Sequence, residues 1–123
     1  MPTLGVTIAV VEDDEAMRKS IERVLHAHGY STEAFGSAEA FLASGSVQRV
    51  KALVLDIQLP GMSGIELRRR MLMSGSTPSV IFITAHDGTA TRAEAFRLGC
   101  AGYFRKPFEA QELAEALERA VMR

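Results

Sequence analysis

The chain has 123 residues, 47% of them hydrophobic and 24% charged, with a net charge of -1, which fits one domain around one core and excludes bulk electrostatic attraction to nucleic acid or an anionic membrane. No apolar stretch reaches the roughly 20 residues that span a bilayer, and Met1-Pro2-Thr3-Leu4-Gly5 has neither the basic start nor the apolar core of a secretory signal. The one cysteine, Cys100, excludes an internal disulfide and suits a reducing compartment, the cytoplasm.

Residues 6–11, Val-Thr-Ile-Ala-Val-Val, read as a first strand. The helix that follows carries Met17, Ile21, Val24 and Leu25 on one stripe and is stopped by Gly29. Residues 30–35 alternate and read as a second, more exposed strand. Ser37 then caps a short helix bearing Phe41 and Leu42. Residues 51–56 form a third strand, whose Leu-Val-Leu centre suits burial on both faces. Pro60, Gly61 and Gly64 mark a loop. Ser63 with Glu66 forms a capping box for a third helix with Ile65, Leu67, Met71 and Leu72 as its apolar positions. Residues 75–78 break that helix and 79–84 form the fourth strand. A loop over 85–88 leads to a helix over about 89–98, ended by Gly99. A short fifth strand covers 101–104, and a last helix repeats Leu113, Leu117, Ala120 and Val121. Strands and helices alternate throughout, with no linker, repeat or low-complexity segment. The fold class is therefore α/β, a single doubly wound (βα)5 unit whose right-handed crossovers put helices on both faces of a parallel five-stranded sheet.

The chemistry lies where the strands end. The first strand runs into Glu12-Asp13-Asp14, the third ends in Asp56, the fourth in Thr84, and Lys106-Pro107 follows the fifth. In a parallel sheet these carboxyl ends converge on one crevice. The sequence thus proposes a single wet hollow holding residues 12, 13, 56, 84 and 106. A hard divalent ion such as Mg²⁺ (or Mn²⁺) takes oxygen ligands and keeps some waters. Asp13 and Asp56 can supply two oxygens, with Glu12 or Asp14 on a coordinated water. A carboxylate can also act as the nucleophile and carry a phosphoryl group, a transfer that needs positioning and charge neutralisation above all. Asp56 is the candidate acceptor because it ends the most hydrophobic strand. Lys106 is the candidate counter-charge.

In order and spacing, Glu12-Asp13, Asp56, Pro60 with Gly64, Thr84-Ala85 and Lys106-Pro107 closely resemble the receiver domain of bacterial two-component response regulators, over nearly the whole chain. Residues 37–42 and 106–109 resemble its FixJ-type subgroup. The resemblance implies a flavodoxin-like (CheY-like) sheet of order 2-1-3-4-5. It also implies a phosphorylation-activated signalling switch, not an enzyme with an external substrate. Asp56 would take the phosphoryl group from a sensor histidine kinase. Asp13 would ligate the metal directly, Glu12 mostly through water, and the backbone carbonyl of Gln58 would complete the protein ligands. Lys106 would pair with Asp56 and then with the phosphoryl group, and Thr84 would follow that group inward. Tyr103 would be the rotating aromatic switch, and Pro107 would follow Lys106 through a cis peptide. Gln58 and His86 would tune the lifetime of the phosphate. The responsive surface would be the fourth helix, fifth strand and fifth helix, serving a homodimer or an output module. Residues 1–123 would be receiver domain alone, with no output domain, no direct nucleic-acid binding and no membrane contact.

Other readings compete. A haloacid-dehalogenase-type phosphatase also uses Asp, Thr, Lys and Mg²⁺, but places a second Asp two residues after its nucleophile, where this chain has Gln58. A flavodoxin-like binding module would offer hydroxyls and amides in its first loop, where Glu12-Asp13-Asp14 offers negative charge. Asp14 also reads as a helix cap, Tyr103 as a core aromatic and His86 as a solvated loop residue. His26 and His28 sit where a helix C-terminus favours a cation. Arg68-Arg69-Arg70 reads as a solvated helix face, Cys100 as a small buried residue, and the six methionines as gap-fillers.

Overall fold

The computed structural model describes residues 5–122, and Met1–Leu4, the start of the segment read above as no signal, lie outside them. Strands β1 (Thr7–Val11), β2 (Ser31–Phe35), β3 (Ala52–Asp56), β4 (Ser79–Thr84) and β5 (Gly102–Arg105) alternate with helices α1 (Glu15–Ala27), α2 (Ala38–Ser44), α3 (Gly64–Met73), α4 (Thr89–Leu98) and α5 (Ala110–Val121). All pairings are parallel and the sheet order is β2-β1-β3-β4-β5. This is the doubly wound α/β architecture and the strand order expected.

Successive strand residues face opposite sides of a sheet, and the core divides accordingly. Ala9, Val11, Leu53, Leu55, Val80 and Phe82 meet Phe41, Leu67, Met71 and Ala95 from α2, α3 and α4. Ile8, Val10, Val54, Ile81 and Ile83 meet Ile21, Leu25, Leu113 and Leu117 from α1 and α5. Every residue of β3 is buried, which explains a run too apolar for a strand with one wet face. Register places Asp56 beside Ile83, and Thr84 beside Arg105. The ends of β3, β4 and β5 therefore lie side by side.

The caps follow the sequence. Asp14 Oδ1 accepts from the Ala16 and Met17 amides at 3.0 and 3.3 Å and starts α1. Ser37 Oγ accepts from Ala40 N at 3.1 Å and starts α2. Ser63 Oγ accepts from Glu66 N at 3.1 Å. The Glu66 carboxylate turns instead to Arg69 and Arg70, so only the serine half of the predicted box forms.

Four further differences appear. Four strands shift by a residue: Val6, buried Tyr30, Lys51 and Ala101 precede β1, β2, β3 and β5, and Arg105 joins β5. Leu72 is 43% exposed, because the last turn of α3 points it away from the stripe of Leu67 and Met71. The arginine run is not simply solvated. Arg68 Nε donates to Gly99 O at 3.1 Å and Arg69 reaches Glu94 at 2.8 Å, tying α3 to α4. Cys100 is half-buried rather than buried, and what burial it has pushes its thiol pKa up. Among the described residues no helix is long and apolar enough to cross a membrane.

Candidate functional site

The chain direction of four strands brings the polar residues together. β1 delivers Glu12, which is fully buried, and Asp13, which is exposed. β3 delivers Asp56, 2% exposed. The loop after β5 delivers Lys106, whose ammonium lies 2.6 Å from Glu12 Oε1 and 3.0 Å from Asp56 Oδ2. One oxygen each of Glu12, Asp13 and Asp56 lie within 4.8 Å of one another. The peptide bond between Lys106 and Pro107 is cis.

Electrostatics follow from this packing. Burial pushes the Glu12 carboxyl above its usual pKa and the neighbouring Asp56 carboxylate adds to the rise, while Lys106 and the Asp14 amide oppose it. Burial works against the Lys106 charge, but the Glu12 and Asp56 carboxylates outweigh it and hold that pKa above the usual value. Three acidic side chains facing one ammonium leave an excess of negative charge. An all-oxygen donor set of this kind fits a hard divalent cation, and the acidic cluster matches the Mg²⁺ site of receiver domains.

The loop after Asp56 is held tightly against it. Gln58 N donates to Asp56 Oδ1 at 3.0 Å, and Gly64 N to Ile57 O at 3.0 Å. A Cβ on Gly64 would stand 2.3 Å from the Asp56 carbonyl oxygen, so only glycine lets α3 begin this close to β3. Glu39 of α2 accepts from Met62 N at 2.8 Å and fastens the far side of the loop.

Thr84 is fully buried at the end of β4, and its hydroxyl is bonded to Gln58 and His86. Thr84 Oγ1 lies 2.7 Å from Gln58 Oε1, 3.0 Å from His86 O and 3.0 Å from the His86 amide that donates to it. Gln58 Oε1 also accepts from Ala85 N at 3.1 Å. The single wet hollow expected from the sequence therefore needs correcting. Residues 12, 13, 56 and 106 meet directly, Thr84 is linked to Asp56 through Gln58, and Glu12, Asp56 and Thr84 are covered. The His86 side chain is exposed.

Tyr103 is half-buried on β5, with its hydroxyl 3.0 Å from Asp87 Oδ1. Its ring lies 5.7 Å from that of Phe96, and the Arg92 guanidinium sits 4.9 Å over it. Arg92 also pairs with Asp87 at 3.5 Å. Burial first, then the bond to Asp87, push the Tyr103 phenol up to about 12. Sequence reasoning missed Asp87 and Arg92, and also the Ala85 amide. The first two looked like ordinary loop and helix charges, and their shared partner, Tyr103, lies on β5.

Fold and site together define a flavodoxin-like, doubly wound protein with an acidic pocket closed by one lysine. The chain belongs to the response regulator receiver domain family, whose model matches residues 8–118. It is 38% identical to the transcriptional regulatory protein FixJ of Rhizobium meliloti (strain 1021), covering 93% of this chain and 56% of that protein. Among solved structures it superposes on FixJ-N with a TM-score of 0.85 at 36% identity, covering 96% of this chain and 94% of that one. It superposes on the response regulator StyR with a TM-score of 0.88 at 34% identity, covering 96% and 60%. The chain spans about half the length of the curated relatives it matches. Members of this family are phosphorylation-activated switches of two-component signalling. That membership displaces both the phosphatase and the flavodoxin readings.

Proposed function

We propose that Asp56 is the phosphoacceptor of this chain and that a sensor histidine kinase is its donor. An Asp56 oxygen attacks the phosphorus of a phosphohistidine. The new P–O bond forms as the P–N bond breaks, and the imidazole leaves with the electron pair and takes up a proton. The observation that supports this most is the meeting of three carboxylate oxygens within 4.8 Å with an ammonium 3.0 Å from Asp56. Glu12, Asp13, Asp56 and the backbone carbonyl of Gln58 would hold Mg²⁺, which when bound would neutralise charge on the transferring phosphoryl oxygens. Lys106 holds Asp56 in place and then pairs with the phosphoryl group. Thr84 gives that group its hydroxyl proton as a hydrogen bond.

The phosphoryl group adds charge and strong acceptors at one point, so a state in which Thr84 has moved toward Asp56 gains population. Thr84 leaves its place at the end of β4, and Tyr103 leaves Asp87 and Arg92. The surface of α4, β5 and α5 then changes, for a homodimer or an output module. The whole protein's output is transcriptional, in a longer chain or a partner, as the name of the FixJ relative supports. All of residues 1–123 serve the receiver, which acts in the cytoplasm, turns over no external substrate and makes no nucleic-acid contact of its own. Gln58 and His86, flanking the pocket, set the lifetime of the phosphate.

The test is incubation with acetyl phosphate and Mg²⁺, followed by intact mass. One phosphoryl group is expected on the wild type, none on Asp56→Ala and none in the presence of EDTA. Phosphorylation that survives Asp56→Ala would overturn the assignment.

A further inference from the structure

The side chain of Gln58 has a second place in the resting chain, and the hydrogen bonds define it. Ala85 N–H can only donate, so the Gln58 atom 3.1 Å away is its carbonyl oxygen. The same oxygen lies 2.7 Å from Thr84 Oγ1. Thr84 accepts from the His86 amide at 3.0 Å, so its oxygen is anchored and its single proton remains to be placed. The shorter contact, to Gln58, takes it in preference to His86 O at 3.0 Å. Two donors, one hydroxyl and one amide, thus converge on one oxygen, which is the geometry of an oxyanion site. Here the oxygen is supplied from within the chain, by a residue whose own amide donates to Asp56 Oδ1 at 3.0 Å.

We propose that Gln58 is an internal stand-in for a phosphoryl oxygen, a latch that occupies the Thr84 and Ala85 donors until a phosphoryl group on Asp56 displaces it. This rests on the phosphoacceptor reading and adds a resting-state competitor to it. A phosphoryl oxygen gains the Thr84 proton only when the Gln58 carbonyl gives it up. The latch therefore lowers the occupancy of the active form at a given donor concentration. Thr84 is fully buried and the other acceptor within its reach is His86 O at 3.0 Å, which lies on its own loop, so inward movement of Thr84 requires release of Gln58. Its effect is on the unphosphorylated protein, before any influence on hydrolysis begins.

The experiment compares wild type, Gln58→Ala and Gln58→Met, where methionine keeps the length and bulk of glutamine without the amide. Backbone NMR of the unmodified chain reads the latch itself. The Ala85 amide exchanges faster and its proton moves upfield in both variants. Titration with beryllofluoride, a phosphoryl analogue, at saturating Mg²⁺ reads the competition. Half-saturation falls about fivefold in both variants, the worth of one ordinary hydrogen bond. An unchanged Ala85 amide, or unchanged or weaker beryllofluoride binding in either variant, overturns the latch. Tightening in Gln58→Ala alone also overturns it, since only space would then matter. Wild type that binds beryllofluoride normally while the variants show no gain removes the latch and leaves the phosphoacceptor reading standing. Wild type that binds none removes both.

Discussion

Helices α4 and α5 flank the same edge of the sheet and are held there by different physics. α5 buries Leu113, Ala114, Ala116, Leu117, Ala120 and Val121. α4 buries Ala95 alone, starts at Gly88 without a side-chain cap, and leaves Phe96 53% exposed. Its attachments are polar or aromatic: Glu94 to Arg69, Gly99 O to Arg68, Arg92 to Asp87, and Arg92 over Phe96 and Tyr103. Apolar burial is lost only by exposing surface. Exposed polar contacts are exchanged for water or for a new partner at small net cost. The helix that borders the Thr84 loop is thus the one whose contacts can be rewritten, and α5 supplies the fixed support. A signalling surface built from both can move on one side without unfolding the other.

The strongest challenge to this contrast is a matched pair of truncations. Leu117→Ala is expected to cost about 2–5 kcal/mol in urea unfolding, as for other large-to-small core changes. Arg92→Ala is expected to cost about 0.5–1 kcal/mol, the scale of an exposed cation–π contact. Equal losses would show that α4 is anchored as firmly as α5. Native-state hydrogen exchange sharpens the same point, with α4 amides expected to open at lower free energy than those of α5.

Alkaline titration gives a smaller and more local effect. The Tyr103 phenol is pushed up to about 12 from 10.0, so the fold favours its neutral form. That contribution to stability is fully present below pH 10 and is lost as pH rises through about 12. In Asp87→Asn, the absorbance midpoint of Tyr103 is expected to fall but to stay above 10, since burial is the larger cause. A midpoint that does not move would mean that Asp87 does not hold the ring. The smallest effect is that of Arg69→Ala. It should leave the global unfolding midpoint within error while speeding exchange in α4, because the Arg69–Glu94 pair is a partly exposed tie.

Most of the fold could be read from local pattern. β3 announced itself by four consecutive apolar residues before Asp56, and α1 and α5 by stripes at helical spacing. The strand order came from family resemblance, since no periodicity encodes which strands are neighbours. Burial was harder near helix ends, where a residue such as Leu72 keeps an apolar side chain yet rotates off the core-facing stripe. The carboxylates and lysine of the site were legible because each closes its own strand. Their partners were less so. Arg68 finds Gly99 O across 31 residues, Thr84 finds Gln58 across 26, and Tyr103 finds Asp87 across 16. A one-dimensional pattern carries no signal for side-chain bonds of that separation. The sequence offered Gln58 as a residue beside the acceptor, and only its three-dimensional neighbours show which donors it occupies.

The glycine at the start of α3 has a consequence for how this molecule can vary. With the Asp56 carbonyl 2.3 Å from where a methyl group would stand, position 64 works as a fixed-length spacer. Even alanine there must push the third helix outward or twist the peptide of the acceptor, and either change displaces the pocket from behind. Saturation mutagenesis that selects for signalling should therefore return one residue at position 64, while Gln58, a few steps earlier on the same loop, tolerates many and tunes the response with each.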